Sequence, residues 1–392
     1  MNDASKDSRS ARDPYPAYAA MRSECPVQAV ASGSSGRLSY LVTGYAEARQ
    51  ALSDARLSKD TAVFFAGKDS KRQLHPAVAH TMLASDPPQH TRLRKLVTGA
   101  FTSGAVAGLR PFITRLTDEL LDRWPADGPV DLVADLAVPL PVMVICELLG
   151  VPETDRSKVQ HWSAELFAAG EPGRTDVASY AVAEYMTALI ASKRLHPGDS
   201  LLDRLLTARD GEDHLTEEEL VSLAVLLLIA GHETTTHFLG NAALALLRHP
   251  AELERLRSNP AAIPQSLDEL LRFDAPVSTS TFRFTTEAIT LGDTEIPAGV
   301  PVIVALGAAN RDPERFPAPD QLDLDRDATS HLSFGHGIHR CVGAPLAKAE
   351  AHIALRAILT RFPDIRLAVS ADQLNWRQTR LVRGLDSLPV LL

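Results

Sequence analysis

The chain has 392 residues, 45% of them hydrophobic, 23% charged and 5% aromatic, with a net charge of −9. That apolar share is ordinary for a globular chain and excludes a disordered or collagen-like protein. An isoelectric point near 5.8 argues against a nucleic-acid or anionic-membrane partner, while leaving local basic patches open.

In chain order, residues 1–12 are polar, lack the apolar core of a signal peptide and read as disordered. Leu38–Thr43 reads as a strand. The helix around DPPQHTRLRKLV places His90 and Arg94 at i, i+4, on one face. Apolar residues three and four apart then predict helices at Pro111–Trp124, Val138–Gly150 and Thr175–Leu195. The strongest helical signal starts at the capping-box pattern Thr216–Glu219 and runs to His249, just before Pro250. Its first half is apolar nearly all round, so it belongs in the middle of the molecule. The runs Leu136–Cys146 and Leu220–Ala230 are eleven residues each. A bilayer needs about 20, so no membrane partner and a cytoplasmic location are expected.

Strand-like pieces follow at Phe282–Thr286, Ala288–Leu291, Pro301–Leu306 and Val382–Val390, inside and after a Pro-, Asp- and Gly-rich coil over Val277–His339. A coil that long in a compact domain is functional or wrongly assigned; here it reads as functional. Length alone allows two or three domains. The pattern, mainly α with small β-sheets, reads as a single domain over residues 13–392.

The three cysteines, Cys25, Cys146 and Cys341, are widely spaced and form no CxxC, so a reduced protein without a disulfide framework is expected. Cys341 stands apart. It lies in Phe334-Gly-His-Gly-Ile-His339-Arg-Cys341-Val-Gly343, just ahead of a helix over Pro345–Phe362. Glycines there permit tight turns, and a helix N-terminus favours a thiolate. A thiolate so held suits haem iron as an axial ligand. Zinc is the rival, since His331, His336 and His339 are near, but structural zinc sites show paired ligands and no second pair is present.

FGHGIHRCVG resembles the haem-binding signature of the cytochrome P450 family, the haem-thiolate monooxygenases, matching F-G-x-G-x-H-x-C-x-G at each fixed position. The likeness extends from DPYPAY near residue 13 to RGLDSLPV near the C-terminus, and is greatest to soluble bacterial members that oxidise macrolides, terpenoids and sterol-like molecules. It implies the triangular-prism-like fold with a long helix over the haem. It also implies haem b as cofactor, Cys341 as iron ligand, and contacts to the haem from Phe334 and Gly343.

The stretch Ala230-Gly231-His232-Glu233-Thr234-Thr235 departs from good helix composition inside the long helix: glycine alone costs about 1 kcal/mol relative to alanine. A Glu in an apolar segment also needs a partner or water. The stretch resembles the family's oxygen-binding groove. By that resemblance Ala230 and Gly231 leave room for dioxygen and substrate, Thr234 hydrogen-bonds dioxygen through its hydroxyl, and Glu233 relays protons from solvent. The resemblance likewise makes His90, Arg94, Arg283 and His339 contacts for the haem propionates. It reads Glu269-x-x-Arg272 as a buried pair tied to an arginine of the coil, Arg326, with a structural role.

Substrate contacts are implied at Ala62–Leu83, Leu166–Ala191, Val277–Phe282 and near Leu381. They mix Phe64, Phe65, Phe167, Val277 and Leu381 with Lys68, Lys71, Arg72 and Arg380. A lipophilic small molecule fits the apolar set. No flavin or nicotinamide fingerprint is present, so electrons are expected from a ferredoxin and a ferredoxin reductase. The docking cations expected are Arg92, Lys95, Arg340 and Lys348, on a monomer. Oxidative cross-linking of phenolic or indolic substrates and non-catalytic haem sensing are the other readings.

Overall fold

The computed structural model describes residues 12–32, 36–67, 73–100, 103–167, 172–377, 379 and 381–392. The N-terminal segment expected to lack order therefore lies, apart from Arg12, outside the described residues. Two compact units are distinguished. One comprises Met1–Ser58, Thr114–Pro139 and Thr234–Leu392; the other comprises Lys59–Ile113 and Leu140–Glu233.

Helices dominate, as the periodicity predicts. They include Gln89–Ala100, Ser103–Leu121, Pro139–Leu149, Arg156–Phe167, Pro172–Leu195, Glu217–Arg248, Ile263–Phe273 and Ala344–Arg361. The helix expected from Thr175 begins at Pro172. The start that differs most from expectation is at Pro111, which lies inside a helix that begins at Ser103. Burial of Val106 accompanies this upstream turn, and packing outweighs the local cost of proline.

The 32-residue helix Glu217–Arg248 runs unbroken through Gly231, Thr234 and Thr235. Its start is the expected capping box. The Glu219 N–H donates to Thr216 Oγ1 (3.3 Å) and the Thr216 N–H donates to Glu219 Oε2 (3.0 Å). By length and composition this helix is apolar enough to cross a bilayer, but 72% of its most apolar stretch is buried inside the protein. It is a core helix.

In the first unit, Val27–Ser32 pairs antiparallel with Arg37–Val42, which pairs parallel with Val302–Val304. A second sheet joins Pro389–Leu391 to Pro129–Asp131 and Arg366–Leu367. Ile289–Leu291 and Thr294–Ile296 form a hairpin. Ile289, Leu291 and Ile296 face a core shared with Val42, Val304 and Leu332. Each such aliphatic side chain contributes about 1.5–3 kcal/mol on burial.

The coil after Ala309 is held by guanidinium groups instead of a ladder. Arg272 and Glu269 are both fully buried and joined by two hydrogen bonds, at 2.6 and 2.8 Å. Arg272 also donates to the carbonyls of Asn310, Pro319 and Gln321. Arg326, the coil arginine expected from sequence, donates to Glu269 Oε1 at 3.2 Å and to the carbonyls of Pro317 and Ala318. Breaking a buried pair strands the remaining charge at a cost of about 3–5 kcal/mol. Glu269→Gln should therefore lower unfolding stability by that order in urea denaturation, whereas a change under about 1 kcal/mol would match only an exposed pair.

Candidate haem and oxygen site

The cysteine loop leaves the core at Leu332, which is 1% exposed. The Leu332 N–H donates to Asn310 Oδ1 (2.7 Å), Asn310 Nδ2 donates to Ser333 Oγ (2.8 Å), and Ser333 Oγ donates to the Leu271 carbonyl (2.7 Å). Gly335 and Gly337 have φ of 70° and 72°, the left-handed region that glycine enters without strain. A Cβ at 337 would also lie 2.8 Å from the Leu52 carbonyl oxygen. The Cys341 N–H donates to the Phe334 carbonyl (2.8 Å), closing the loop. The helix Ala344–Arg361 then starts, its positive end toward the cysteine side of the chain.

The cysteines differ in what their sulfurs can do. Cys146 is buried, and burial pushes its thiol up to about 12. Cys25 Sγ donates to the Val27 carbonyl at 3.1 Å. Cys341 is exposed, and the missing side chain of Gly343 leaves bare backbone beside it: a Cβ there would sit 3.7 Å from Sγ. An accessible sulfur before a helix N-terminus fits a haem ligand. Among the described residues no three His, Cys, Asp or Glu side chains gather as a metal cluster. His331, one of the zinc candidates, engages Asp268 and the Ser333 N–H instead.

On the long helix, Leu226, Ala230 and Thr234 recur at i, i+4 and i+8 and are accessible or half-buried, whereas His232, Glu233 and Thr235 are buried. One face of a core helix is thus open at a small residue and an alcohol, with the acid turned inward beside them. Gly231 does something the sequence did not reveal. A Cβ there would stand 2.8 Å from Ile145 Cδ1 and 3.0 Å from Cγ1. The glycine is the notch through which the helix Pro139–Leu149 approaches.

Arg283 is buried just before the strand Phe284–Thr285, and its carbonyl accepts the Val302 N–H at 2.9 Å. His339 ends the short 3-10 turn Gly337–His339. In the other unit, His90 is buried and Arg94 half-buried on the helix Gln89–Ala100. Burial, with repulsion from Arg94 and Lys59, lowers the His90 pKa, which leaves it a neutral hydrogen-bond donor.

Among the implied substrate contacts, Phe64 is buried and Phe65 exposed. The Ser278 N–H bonds the Leu381 carbonyl, bringing those two segments together. Lys68, Lys71, Arg72 and Arg380 lie outside the described residues. Three of the expected docking cations hold carboxylates of their own chain. Arg92 bridges Asp213 and Glu219, Lys95 pairs with Asp210, and Lys348 with Asp268, at 2.5–2.7 Å. Arg340 is exposed.

The profile of the family described as Cytochrome P450 matches residues 181–365. Cytochrome P450 107B1 of Saccharopolyspora erythraea is 47% identical over 391 residues, spanning 98% of this chain and 96% of that protein. The chain belongs to the cytochrome P450 family. Among solved structures, the tirandamycin C-bound P450 monooxygenase TamI is 46% identical with a TM-score of 0.89, covering 98% of both chains. PksS, the bacillaene polyketide synthase cytochrome P450 of Bacillus subtilis 168, is 36% identical with a TM-score of 0.93 over 100% of both.

This P450 is therefore a haem-thiolate monooxygenase of bacterial type that hydroxylates or epoxidises lipophilic small molecules. When bound, the haem supplies dioxygen activation for inserting one oxygen atom into a C–H or C=C bond. Among the described residues the structure offers an exposed Cys341, a helix face open at Ala230 and Thr234, and a buried Glu233 on the same helix.

The Ile145 notch is testable in the P450. Gly231→Ala overpacks it, at a cost of about 1–3 kcal/mol. Ile145→Ala, which is destabilising by itself because that side chain is buried, should make the further cost of Gly231→Ala much smaller in urea denaturation than it is in the wild-type chain. Simple additivity of the two losses would contradict the contact.

Proposed function

We propose that this P450 oxidises a polyketide-derived substrate, with Cys341 as the thiolate ligand of its haem iron. The carrying observation is the contrast among the cysteines: Cys341 alone joins exposure, a glycine loop and a helix start. PksS supports the substrate class by its assignment to a polyketide synthase. In this reading Arg283 and His339 hold haem propionates, as do Arg94 by charge and His90 as a neutral donor. Phe334 and Gly343 line the thiolate side. Thr234 offers its hydroxyl to dioxygen from the open helix face, with Ala230 leaving the space. Glu233, buried next to it, moves protons inward; oxygen cleavage needs them in controlled order in a dry site.

Electrons come from a ferredoxin and its reductase. Arg340 is the docking cation, because it is exposed on the cysteine loop and adjoins the ligand in sequence. The working form is a cytoplasmic monomer, with residues 13–392 acting as one haem-binding domain.

Reduced holoenzyme under carbon monoxide should show the far-red-shifted band of thiolate-ligated haem, and Cys341→Ala should abolish it. A preserved band would refute the ligand assignment. Thr234→Ala and Glu233→Gln should each lower product formed per NAD(P)H consumed by about tenfold or more. Unchanged coupling in both would remove them from proton and oxygen handling. Arg340→Glu should slow ferredoxin-supported turnover while leaving substrate-induced spectral change intact; equal loss of both would sink the docking role.

A further inference from the structure

Behind the cysteine loop lies a hydrogen-bonded chain that the oxygen chemistry does not use. Asp268 sits on the helix Ile263–Phe273, one residue before Glu269. Its Oδ1 is 3.1 Å from His331 Nε2 and 2.5 Å from Lys348 Nζ. The His331 side chain is 3% exposed. Its Nδ1 accepts the Ser333 N–H at 3.0 Å. An acceptor nitrogen carries no proton, so the ring proton resides on Nε2, where it donates to Asp268.

The chain continues into the ligand loop. Ser333 precedes Phe334, whose carbonyl accepts the Cys341 N–H at 2.8 Å. The His331 and Phe334 rings are 5.6 Å apart between centroids, and Lys348 Nζ stands 6.0 Å from the Phe334 centroid. Ser333 is also pinned through its hydroxyl to Asn310 and Leu271. One strand of the loop is thereby fixed at both backbone and side chain, and the cysteine is bonded across to it.

We propose that Asp268 and His331 are positioning residues for the cysteine ligand: they hold the Ser333–Phe334 backbone, and through the Phe334 carbonyl they set the orientation of Cys341 and so the electron donation of its sulfur. Burial would push the Asp268 carboxyl up, but its bonds from His331 and Lys348 outweigh that and hold it at about 2. Burial lowers the His331 pKa. The pair is therefore a carboxylate accepting from a neutral imidazole at ordinary pH. Orienting groups outside a metal's own ligand set tune ligand basicity in this way.

The inference rests on Cys341 being the ligand. Its test uses purified holoenzyme and two readouts besides turnover: the lifetime of the thiolate-type band of the reduced carbon monoxide complex, and the haem reduction potential. His331→Leu and Asp268→Ala should shorten the band lifetime by about tenfold, the order expected for losing a hydrogen bond to a charged group, and should shift the potential. His331→Asn keeps an oxygen able to accept the Ser333 N–H in an Asx-turn, without the reach to Asp268. Its lifetime should fall between wild type and His331→Leu.

Tyr15→Phe is the control for stability alone. It deletes a buried 2.7 Å bond to Asp274 in a different network, and should lower the melting temperature without moving either readout. Wild-type lifetime and potential in both His331→Leu and Asp268→Ala would overturn the proposal. So would equal changes in Tyr15→Phe. If wild-type enzyme itself lacks the thiolate-type band, the ligand assignment fails instead, which separates the two failures.

Discussion

The bond on which the ligand side of this protein depends is the buried pair between Glu269 and Arg272. Between Asn310 and His336 the chain has almost no regular structure, and wherever its backbone is buried the carbonyls need partners inside the protein. Arg272 serves three of them and Arg326 three, the Gln321 carbonyl being shared, while Glu269 balances both guanidiniums and also accepts the Asp323 N–H. A fully buried ion pair is a poor source of net stability by comparison with apolar packing. Its value here is geometric: it lets an irregular segment keep one conformation up to the point where the cysteine loop begins.

The long helix solves a different problem. A core helix of uniform large side chains would leave no face for a small molecule. Alanine at 230 and threonine at 234 open one stripe, while Phe238, Leu239, Ala242 and Ala243 restore full burial farther along. Gly231 looks like part of that opening, yet the room it leaves is taken by Ile145. The residues of this stretch thus divide by role. Ala230 and Thr234 lie on the open face, and Gly231 admits a neighbouring helix. Hydrogen bonding stays helical throughout, because burial on both sides of the stretch outweighs an intrinsic penalty of about 1 kcal/mol at the glycine.

Much of this is legible in the amino-acid order. The helix Glu217–Arg248 ends within a residue of its expected end, because a capping box opens it and Pro250 follows it. Glu269, Arg272 and Arg326 come together only through the family likeness, since nothing local links residue 269 to 326. Strands are harder. Val27–Ser32 alternates too weakly to predict a strand. Thr294–Ile296 goes unpredicted although Gly292-Asp293 between two short apolar stretches is a hairpin signal. The Gly231–Ile145 contact and the Asp268–His331–Ser333 chain leave no trace in spacing. They join residues far apart in sequence, and periodicity reports only on neighbours.

Charge shows the same limit. From sequence, Arg92, Lys95 and Lys348 are surface cations suited to an acidic partner. In the fold each meets a carboxylate of its own chain, and Arg92 meets two. An exposed pair such as Lys95 with Asp210 is worth little and yields readily to a competing anion. Arg92 is different, because it closes a network with Gln89, Glu219 and the His214 carbonyl at the start of the long helix. Withdrawing it would unpin that helix start. A cation's usefulness to a partner therefore depends on what it already holds, and a protein of net charge −9 has acids enough to occupy many of its bases. For Arg340 the case rests on position instead. It is exposed on the cysteine loop, one residue from Cys341, so an acidic partner that reaches it also comes close to the sulfur and the group that the sulfur holds.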